Sequence, residues 1–341
     1  MSARDDAGAS LPPACPVSVV MPILNEERHL TEAASMVLGQ DYDGPIELVL
    51  ALGPSSDRTD EVAAALAASD TRVRLVQNPS GRTPDALNAA LAASSHPVVV
   101  RVDGHAVIPR DYVSTAVETL RRTGADNVGG IMAARGTTAF EQAVAAAMSS
   151  RLGVGNARFH TGGGEGPAET VYLGAFRRAA LERAGGYDAH FARAQDWELN
   201  HRIRESGGLV WFTPRMVVSY RPRGSVRALA RQYFHYGRWR RVVARRHSTI
   251  SARYLAAPTL VTALGVCFVV APWWPWALLL PAGYGAAIAV GGLLVGQGNP
   301  PAARVRVPVA LATMHLSWGT GFLTSPAHLR RAPDRAVAEA R

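Results

Sequence analysis

The sequence predicts an α/β protein in which a doubly wound, mostly parallel sheet precedes an interfacial helix and apolar transmembrane helices. Between about residues 17 and 134, short apolar runs alternate with segments of helical spacing. Strands separated by helices of about ten residues imply right-handed crossovers between parallel strands. A basic, aromatic helix is predicted at 227–246, and three apolar stretches follow at about 255–272, 275–296 and 305–325.

The elements of the α/β region are predicted from the spacing of apolar residues. Strands are expected at 17–21, 46–52, 73–77 and 98–102, with helices at 26–40, 59–69 and 84–93 between them. Asn25 is predicted to cap the first helix. Later helices are expected at 139–152, 178–184 and 196–206, and later strands at 171–176 and 210–212. Residues 16–225 therefore form the predicted domain, in halves 16–134 and 135–225, after a disordered leader at 1–15.

The charge pattern favours a membrane surface over nucleic acid as a partner. The net charge is +9, and the chain contains no lysine. A dense group of arginines precedes the apolar stretches: Arg238, Arg240, Arg241, Arg245, Arg246 and Arg253. Anionic head groups and the positive-inside bias favour arginine beside a membrane span. No zinc-finger spacing or RNA-binding signature supports nucleic-acid binding, and the two cysteines have no spacing typical of a disulfide framework or metal site.

The apolar region at 254–326 is predicted to hold two to three membrane segments, after amphipathic interfacial helices at 226–253. The first two stretches are free of charge and close to the length that a bilayer needs. The tryptophans between them would lie in an interfacial aromatic belt: Trp273, Trp274 and Trp276. The third stretch contains Arg306 and His315, so it could span, re-enter or lie at the surface. Buried helices of a soluble protein are the alternative, and the side of the tail at 327–341 stays open.

The run at 98–105 is the strongest indication of a functional site. An apolar segment ends abruptly in Asp103-Gly104-His105, at the carboxyl end of a predicted strand, where open α/β sheets build ligand crevices. An acid and an imidazole two residues apart could hold a divalent cation, which a nucleotide diphosphate needs as a partner. A strand followed by a polar turn is the alternative. A second acidic cluster at 195–198 favours the functional interpretation.

Five segments in one order carry a family resemblance: Val19-Val20-Met21-Pro22-Ile23-Leu24-Asn25-Glu26, Ser55-Ser56-Asp57-Arg58-Thr59-Asp60, the loop and helix start at 78–88, Asp103-Gly104-His105 and Gln195-Asp196-Trp197-Glu198-Leu199. With them, the chain resembles the family 2 glycosyltransferases, inverting enzymes of the Rossmann-like GT-A fold. It looks most like the membrane-associated branch that builds exopolysaccharides, such as the succinoglycan-type glucosyltransferases. The resemblance covers roughly residues 17–325. It implies a nucleotide-binding half at 16–134 and an acceptor half at 135–225.

The resemblance implies that several residues of the first half bind the nucleotide sugar: Pro22, Asn25, Glu26, Asp57, Arg82 and Asp103. Pro22 would stiffen the strand exit so that Glu26 faces a uracil or ribose, and Asp57 would contact the base. Capping of the following helix is the alternative role of Asp57. Arg82 would supply positive charge near the nucleotide, or is simply a solvated surface arginine.

The metal ligands implied by the resemblance are Asp103 and His105, where most of the family has Asp-x-Asp. Asp103 would hold the nucleotide end and His105 the cation. Imidazole is a softer ligand than carboxylate and suits Mn²⁺ at least as well as Mg²⁺. The identity of the metal therefore stays open.

Asp196 is the implied catalytic base, because residues 195–199 resemble the family's Glu-Asp-x-Glu-Leu with Gln195 in place of the first acid. Direct displacement requires the acceptor hydroxyl to lose its proton, and a carboxylate at the start of a helix can accept it. A helix cap is the alternative role. Glu198 lies two residues away, on another face of the helix, and is expected to be structural.

The basic helix contributes three further candidates, Gln232, Arg238 and Trp239. Processive members of the family carry Gln-x-x-Arg-Trp, a spacing that this chain does not meet. These residues would border the donor phosphates or the lipid interface. A plain interfacial helix is the equal alternative.

The sequence therefore predicts an inverting glycosyltransferase that moves a hexose from a UDP-sugar to a lipid-linked or growing saccharide for cell-surface or extracellular polysaccharide. No apolar run precedes Val17, so no signal peptide is expected, and the catalytic domain should face the cytoplasm of a multi-pass membrane protein. A nucleotide-binding regulatory or scaffold subunit is the alternative. A nucleotidyltransferase ranks last, because no glycine-rich, lysine-bearing phosphate loop is present. The sugar, acceptor, linkage and any homo-oligomer stay open.

Overall fold

The computed structural model describes residues 11–248 and 254–330. The chain divides into two compact units, Met1–Ala133 with Gly162–Tyr220 and Ala134–Thr161 with Arg221–Arg341. The first holds the α/β sheet and the second is helical. The boundary falls close to the predicted end of the α/β domain at residue 225, but it assigns 134–161 to the helical unit.

The sheet has eight strands: β1 (Val17–Ile23), β2 (Ile46–Leu52), β3 (Val73–Gln77), β4 (Val98–Arg101), β5 (Asn127–Ala134), β6 (Gly166–Pro167), β7 (Tyr172–Arg177) and β8 (Val210–Tyr220). Their order is β3-β2-β1-β4-β7-β5-β8-β6. The first four are parallel neighbours, whereas β7 is antiparallel to β4 and β5, and β6 is antiparallel to β8. The prediction of a mostly parallel sheet is thus correct for the first half and wrong for the second, where these strand pairs are antiparallel.

The helices, in chain order, are α1 (Leu30–Leu38), α2 (Thr59–Ser69), α3 (Thr83–Ala93), α4 (Tyr112–Thr123), α5 (Ala139–Met148), α6 (Arg151–Val154), α7 (Arg158–Thr161), α8 (Arg178–Ala184), α9 (Gln195–Glu205), α10 (Val226–Arg246), α11 (Ala256–Val270), α12 (Leu279–Val295), α13 (Pro301–Arg304) and α14 (Val307–Leu323). The predicted bounds of β2, α2, β3 and α8 are confirmed to the residue. Strand β8 extends to Tyr220, well beyond the predicted 210–212.

The prediction that Asn25 caps the first helix is wrong. Helix α1 begins at Leu30, and its N-cap is His29. Asn25 adopts the left-handed conformation, with φ of 56°, which short polar side chains tolerate. Its Oδ1 accepts a hydrogen bond from the Ser56 backbone N–H at 2.7 Å, and its own N–H donates to Ser55 Oγ at 3.0 Å. Asn25 therefore ties the loop after β1 to the loop after β2.

The core of the first unit lies around β1, β2 and β4, whose side chains are buried on both faces as expected for parallel strands. Leu11 and Cys15, which fall in the predicted disordered leader, also belong to this core. The Arg121 Nε donates to the Leu11 carbonyl at 2.8 Å. The prediction of disorder is therefore wrong for residues 11–15, and residues 1–10 lie outside the described part of the chain.

In the second unit, helices α10 and α14 pack with their backbones unusually close. A Cβ added to Gly237 would collide with the carbonyl oxygen of Trp318, and one added to Gly321 would collide with that of Phe234. Only hydrogen at these positions allows such an approach. Helix α14 is thereby packed within the unit, with Val307, Leu311 and other apolar side chains buried.

Among the described residues, one helical segment is long and apolar enough to cross a membrane, Pro275–Val295, which has a mean hydropathy of 1.9 and is mostly exposed. Ala256–Val270 is apolar but shorter. The prediction of two to three spans therefore stays a prediction. Part of the predicted interfacial region, 249–253, lies outside the described residues, as does the tail after residue 330.

We expect Gly237→Ala to destabilise the protein by about 1–3 kcal/mol, because the added methyl forces α10 and α14 apart. Gly283→Ala is the matched control, since a Cβ there meets no atom within 4 Å and alanine favours a helix by roughly 1 kcal/mol over glycine. Thermal unfolding of the detergent-solubilised chain should show a lower midpoint for the first variant alone. Equal midpoints for the two variants would contradict the close packing.

Candidate active site

The candidate site lies where β1, β2 and β4 end, because the carboxyl ends of parallel strands share one edge of a sheet. The loop after β4 lies directly against the loop after β1. A Cβ on Gly104 would lie 2.7 Å from Ile23 Cδ1 and 3.1 Å from Glu26 Cγ. Glycine at position 104 thus lets the two loops make contact, and it brings His105 to Glu26.

His105 and Glu26 form a close pair. The His105 Nδ1 lies 2.7 Å from Glu26 Oε1, and Glu26 is held in turn because its backbone N–H donates to Thr59 Oγ1 at 2.7 Å. An ionised carboxylate only accepts hydrogen bonds, so Nδ1 is the donor. In the neutral tautomer that carries its proton on Nδ1, Nε2 is the electron-pair donor. Glu26 was predicted to face a uracil or ribose, whereas in this structure its carboxylate orients the imidazole.

These residues fit a divalent cation. A carboxylate and an imidazole are suitable ligands for Mn²⁺, and a ligand histidine commonly donates its other ring nitrogen to a carboxylate, as His105 does to Glu26. The Asp103 side chain is 20% exposed and that of His105 is 53% exposed, so both are accessible. Asp103 and His105 could therefore hold the cation, with Glu26 behind His105.

Arg101, the last residue of β4, links the two acidic motifs. This arginine is buried, and its Nε and Nη2 donate to Asp103 Oδ1 at 3.0 and 2.9 Å. Its Nη1 donates to Oδ1 of Asp196. No role was predicted for Arg101 from the sequence. The signal was present, because a charge inside a buried apolar strand is costly unless it is paired.

Asp196 is the second residue of α9, and its carboxylate binds Arg101 instead of capping the helix. Within the described part of the chain, no side chain caps α9, whose N-cap is Ala194 with φ of 63°. Desolvation raises the pKa of Asp196 above its ordinary value, and the charge of Asp103 acts in the same direction, while Arg101 opposes them. Glu198 pairs with Arg202 at 2.6 Å on another face of the helix, in agreement with a structural role.

Arg101 is itself kept charged by this arrangement. Burial alone would lower its pKa, but Asp103 and Asp196 outweigh that effect and raise the pKa well above the ordinary value. Desolvation also raises the pKa of the Tyr112 and Tyr187 hydroxyls next to this cluster. The phenols therefore stay neutral, and the charges of the cluster are those of Arg101 and the two carboxylates.

The remaining candidates of the first half support the loops at the same sheet edge. Asp57 accepts hydrogen bonds from the Thr59 and Glu27 backbone N–H groups at 3.1 and 3.2 Å. It thus contacts the start of α2, but the N-cap of that helix is Arg58, so the alternative role of Asp57 as the helix cap is not confirmed. Pro22 lies in β1 opposite Ala51 of β2. These contacts hold the loops in place and leave the predicted binding roles of Asp57 and Pro22 untested.

Arg82 lies just before α3, with its side chain 41% exposed. Its Nη2 donates to the Ala189 carbonyl, in the segment that leads to α9. Arg82 is therefore tied to the loop that precedes Asp196. A solvated surface arginine, the alternative interpretation, does not describe this contact.

Gln232, Arg238 and Trp239 lie on α10, in the second unit. The Gln232 Nε2 donates to the Tyr236 hydroxyl at 3.0 Å, and the Arg238 guanidinium lies 4.4 Å from the centroid of the Phe234 ring. Trp239 is buried. These contacts lie within α10, so a role of the three residues in donor binding stays a prediction.

Comparison with known proteins decides the family. The family model described as glycosyl transferase family 2 matches residues 18–185, from β1 to the end of α8. The succinoglycan biosynthesis protein ExoA of Rhizobium meliloti (strain 1021) is 32% identical over 322 residues, which cover 92% of this chain and 96% of the relative. The chain belongs to glycosyl transferase family 2. This family 2 protein is thus related over both of its units to a protein of exopolysaccharide biosynthesis.

More distant similarities agree with a family 2 protein of GT-A-like fold. The dolichyl N-acetyl-α-D-glucosaminyl phosphate 3-β-D-2,3-diacetamido-2,3-dideoxy-β-D-glucuronosyltransferase of Methanococcus voltae is 23% identical over 229 residues, covering 65% of this chain and 71% of the relative. The solved structure of the mannosyltransferase PcManGT from Pyrobaculum calidifontis, in complex with GDP-Man and Mn²⁺, has a TM-score of 0.56 and 22% identity, covering 91% of this chain and 86% of that chain. At that identity the likeness shows the fold, a GT-A-like mixed α/β architecture with a central sheet.

Proposed function

We propose that this family 2 protein is an inverting glycosyltransferase that moves a hexose from a UDP-sugar to a lipid-linked or growing saccharide. The observation that carries the proposal is the pairing of Arg101 with both Asp103 and Asp196. It supports the proposal because the acid of the donor motif and the acid of the base motif bind the same guanidinium. The relationship to a succinoglycan biosynthesis protein supports an extracellular or cell-surface polysaccharide as the product.

Asp196 acts as the general base. The acceptor hydroxyl gives its proton to the Asp196 carboxylate while the acceptor oxygen attacks the anomeric carbon from the face opposite the nucleotide. The bond from that carbon to the phosphate oxygen breaks, and its electron pair leaves with the nucleoside diphosphate. The raised pKa of Asp196 favours this step, because a more basic carboxylate accepts the proton more readily.

Asp103 and His105 would hold a divalent cation, Mn²⁺ or Mg²⁺, for the diphosphate end of the donor. When bound, the cation offsets the negative charge that grows on the departing diphosphate. Asp57 and the loops after β1 and β2 provide the surface for the nucleoside, and Arg82 adds positive charge at the edge of the site. Glu26 keeps the His105 ring in the orientation and tautomer that a metal ligand needs.

The apolar helices of the second unit support a location at the cell membrane, with the catalytic domain on the cytoplasmic side. Large apolar side chains of α11 and α12 are exposed: Val266, Phe268, Val269, Leu279, Val290 and Leu294. Between the helices, Trp273, Trp274 and Trp276 are exposed by 81%, 58% and 68%. Exposed tryptophans beside an apolar helix are typical of a membrane interface.

A donor screen on purified membranes tests this function. UDP-glucose, UDP-galactose, UDP-GlcNAc and GDP-mannose are each supplied with a lipid-linked saccharide acceptor, and the anomeric configuration of the product is determined. We expect transfer from a UDP-hexose with inversion. Binding of UDP in calorimetry without transfer from any donor would instead favour a nucleotide-binding regulatory or scaffold subunit.

We expect Glu26→Gln to weaken Mn²⁺ binding by about 10–100-fold, because the neutral amide no longer raises the basicity of His105. Electron paramagnetic resonance of free Mn²⁺ gives the dissociation constant without need of turnover. Glu27→Gln is the matched control, since Glu27 Oε2 accepts from the Arg58 backbone N–H at 3.2 Å and does not bind His105. If both variants bind Mn²⁺ like the unchanged protein, Glu26 does not act through a metal ligand.

A further inference from the structure

We propose that Arg101 is a positioning residue that sets the charge and spacing of the donor-side and base-side carboxylates, and thereby limits how tightly the site binds its cation. This inference rests on the proposed function. Arg101 would act through Asp103 and Asp196 and would not itself react.

The guanidinium of Arg101 binds one oxygen of each carboxylate, so the two oxygens of each acid have different roles. The three hydrogen bonds that the described residues show from Arg101 to the two acids end on Oδ1 atoms, two on Asp103 and one on Asp196. Arg101 thus holds each acid by one oxygen. The position of the other oxygen is then set by the substrate or the metal. Because the guanidinium is planar and rigid, this three-point contact also fixes the spacing of the two acids.

The charges of the cluster have a further consequence. Two carboxylates held close together repel each other, and a single buried guanidinium offsets one of their two negative charges. The cluster therefore presents a reduced negative charge to an incoming cation. Removing the guanidinium leaves both charges to attract the metal, while Asp103 and Asp196 lose the scaffold that sets their separation.

The proposal predicts opposite changes in metal affinity and in turnover. We expect Arg101→Met to bind Mn²⁺ about three- to tenfold more tightly and to lower kcat by about 100-fold, the cost of a base misplaced by about 1 Å. If Arg101 had only a structural role, its loss would disturb the site and weaken Mn²⁺ binding. The sign of the change in Mn²⁺ dissociation constant thus separates the two roles.

Arg178→Met is the matched control. Arg178 lies in the same unit, and its guanidinium binds the His96 and Leu91 carbonyls at 2.6 and 3.3 Å, away from both acids. This variant should lower the thermal midpoint without changing the Mn²⁺ dissociation constant. If Arg101→Met does not fold, Arg101→Lys is tested in its place. Lysine keeps the positive charge but lacks the planar guanidinium that binds both acids. This variant should keep Mn²⁺ affinity and donor KM within about twofold, while kcat falls at least about tenfold.

The readouts distinguish failure of this inference from failure of the proposed function. Weaker or unchanged Mn²⁺ binding in Arg101→Met, or full kcat in Arg101→Lys, overturns the role of Arg101. Absence of transfer by the unchanged protein from every donor overturns the proposed function. The Mn²⁺ affinity of Arg101→Met still decides the role of the guanidinium in that case, because it is measured without turnover.

Discussion

Asp196→Asn should lower sugar transfer by about 10²–10⁴-fold, because the amide cannot accept the proton of the acceptor hydroxyl. The substitution keeps the volume of the side chain and an oxygen for Arg101 Nη1. We therefore expect UDP binding and the thermal midpoint to change little. Initial rates of product formation at saturating donor measure the effect.

The pH dependence gives this prediction a second readout. Since desolvation raises the pKa of Asp196, the group is protonated at low pH and becomes a base as the pH rises through that pKa. The kcat of the unchanged protein should thus rise with pH and reach a plateau, with its midpoint above the ordinary aspartate value of about 3.9. The residual activity of Asp196→Asn should lack this acid limb.

Asp70→Asn is the control for Asp196→Asn. Asp70 is the C-cap of α2 and pairs with Arg72 at 2.7 Å, immediately before β3 and so at the edge of the sheet opposite the site. Loss of the Asp70 carboxylate should change the rate of sugar transfer by no more than about twofold relative to the unchanged protein, as for most surface positions. Equal rates for Asp196→Asn and Asp70→Asn would remove Asp196 from the chemistry.

Removal of divalent metal should abolish transfer, and His105→Ala should raise the Mn²⁺ concentration needed for half-maximal rate by at least about tenfold, because one of two protein ligands is lost. His105→Asp provides the sharper comparison. A second carboxylate in place of imidazole is a harder ligand, so this variant should regain activity and shift its preference from Mn²⁺ toward Mg²⁺. Rates measured across a titration of each metal after chelation give both results.

His96→Ala is the matched control for these variants. His96 lies before β4, at the other end of the strand, with its Nε2 3.9 Å from Glu47 Oε1. The His96→Ala variant should have the same metal requirement as the unchanged protein. A protein that transfers sugar at full rate in the presence of excess chelator would show that His105 is not a metal ligand, although Asp196 could still act as the base.

Some features were predictable because the residues that determine them lie close together in the sequence. The parallel half of the sheet follows from apolar runs and helical spacing, so the bounds of β2, α2, β3 and α8 could be given to the residue. The antiparallel half has no such alternation. Strand β7 pairs with both β4 and β5, which only the assembled sheet decides.

The acidic residues of the candidate site were predicted from the sequence, but the contacts that join them were not. Asp103 and Asp196 were proposed from short motifs, and the structure joins them through Arg101, which the motif interpretation had left without a role. Asn25 was assigned to a helix cap because it is a suitable capping residue directly before the helix predicted at 26–40. The structure instead uses it to tie two loops, because a helix that begins at Leu30 leaves Asn25 in the turn before it.

By itself, the sequence determined the family, the strands of the donor half and the acidic residues proposed for the chemistry, because each depends on spacing within a short segment. Only the tertiary structure decided the mixed sheet, the partner of His105 and the place of Arg101. Glu26 lies 79 positions from His105, and Arg101 lies 95 positions from Asp196. Contacts over such separations depend on how strands and loops come together at one edge of the sheet, which no local periodicity records.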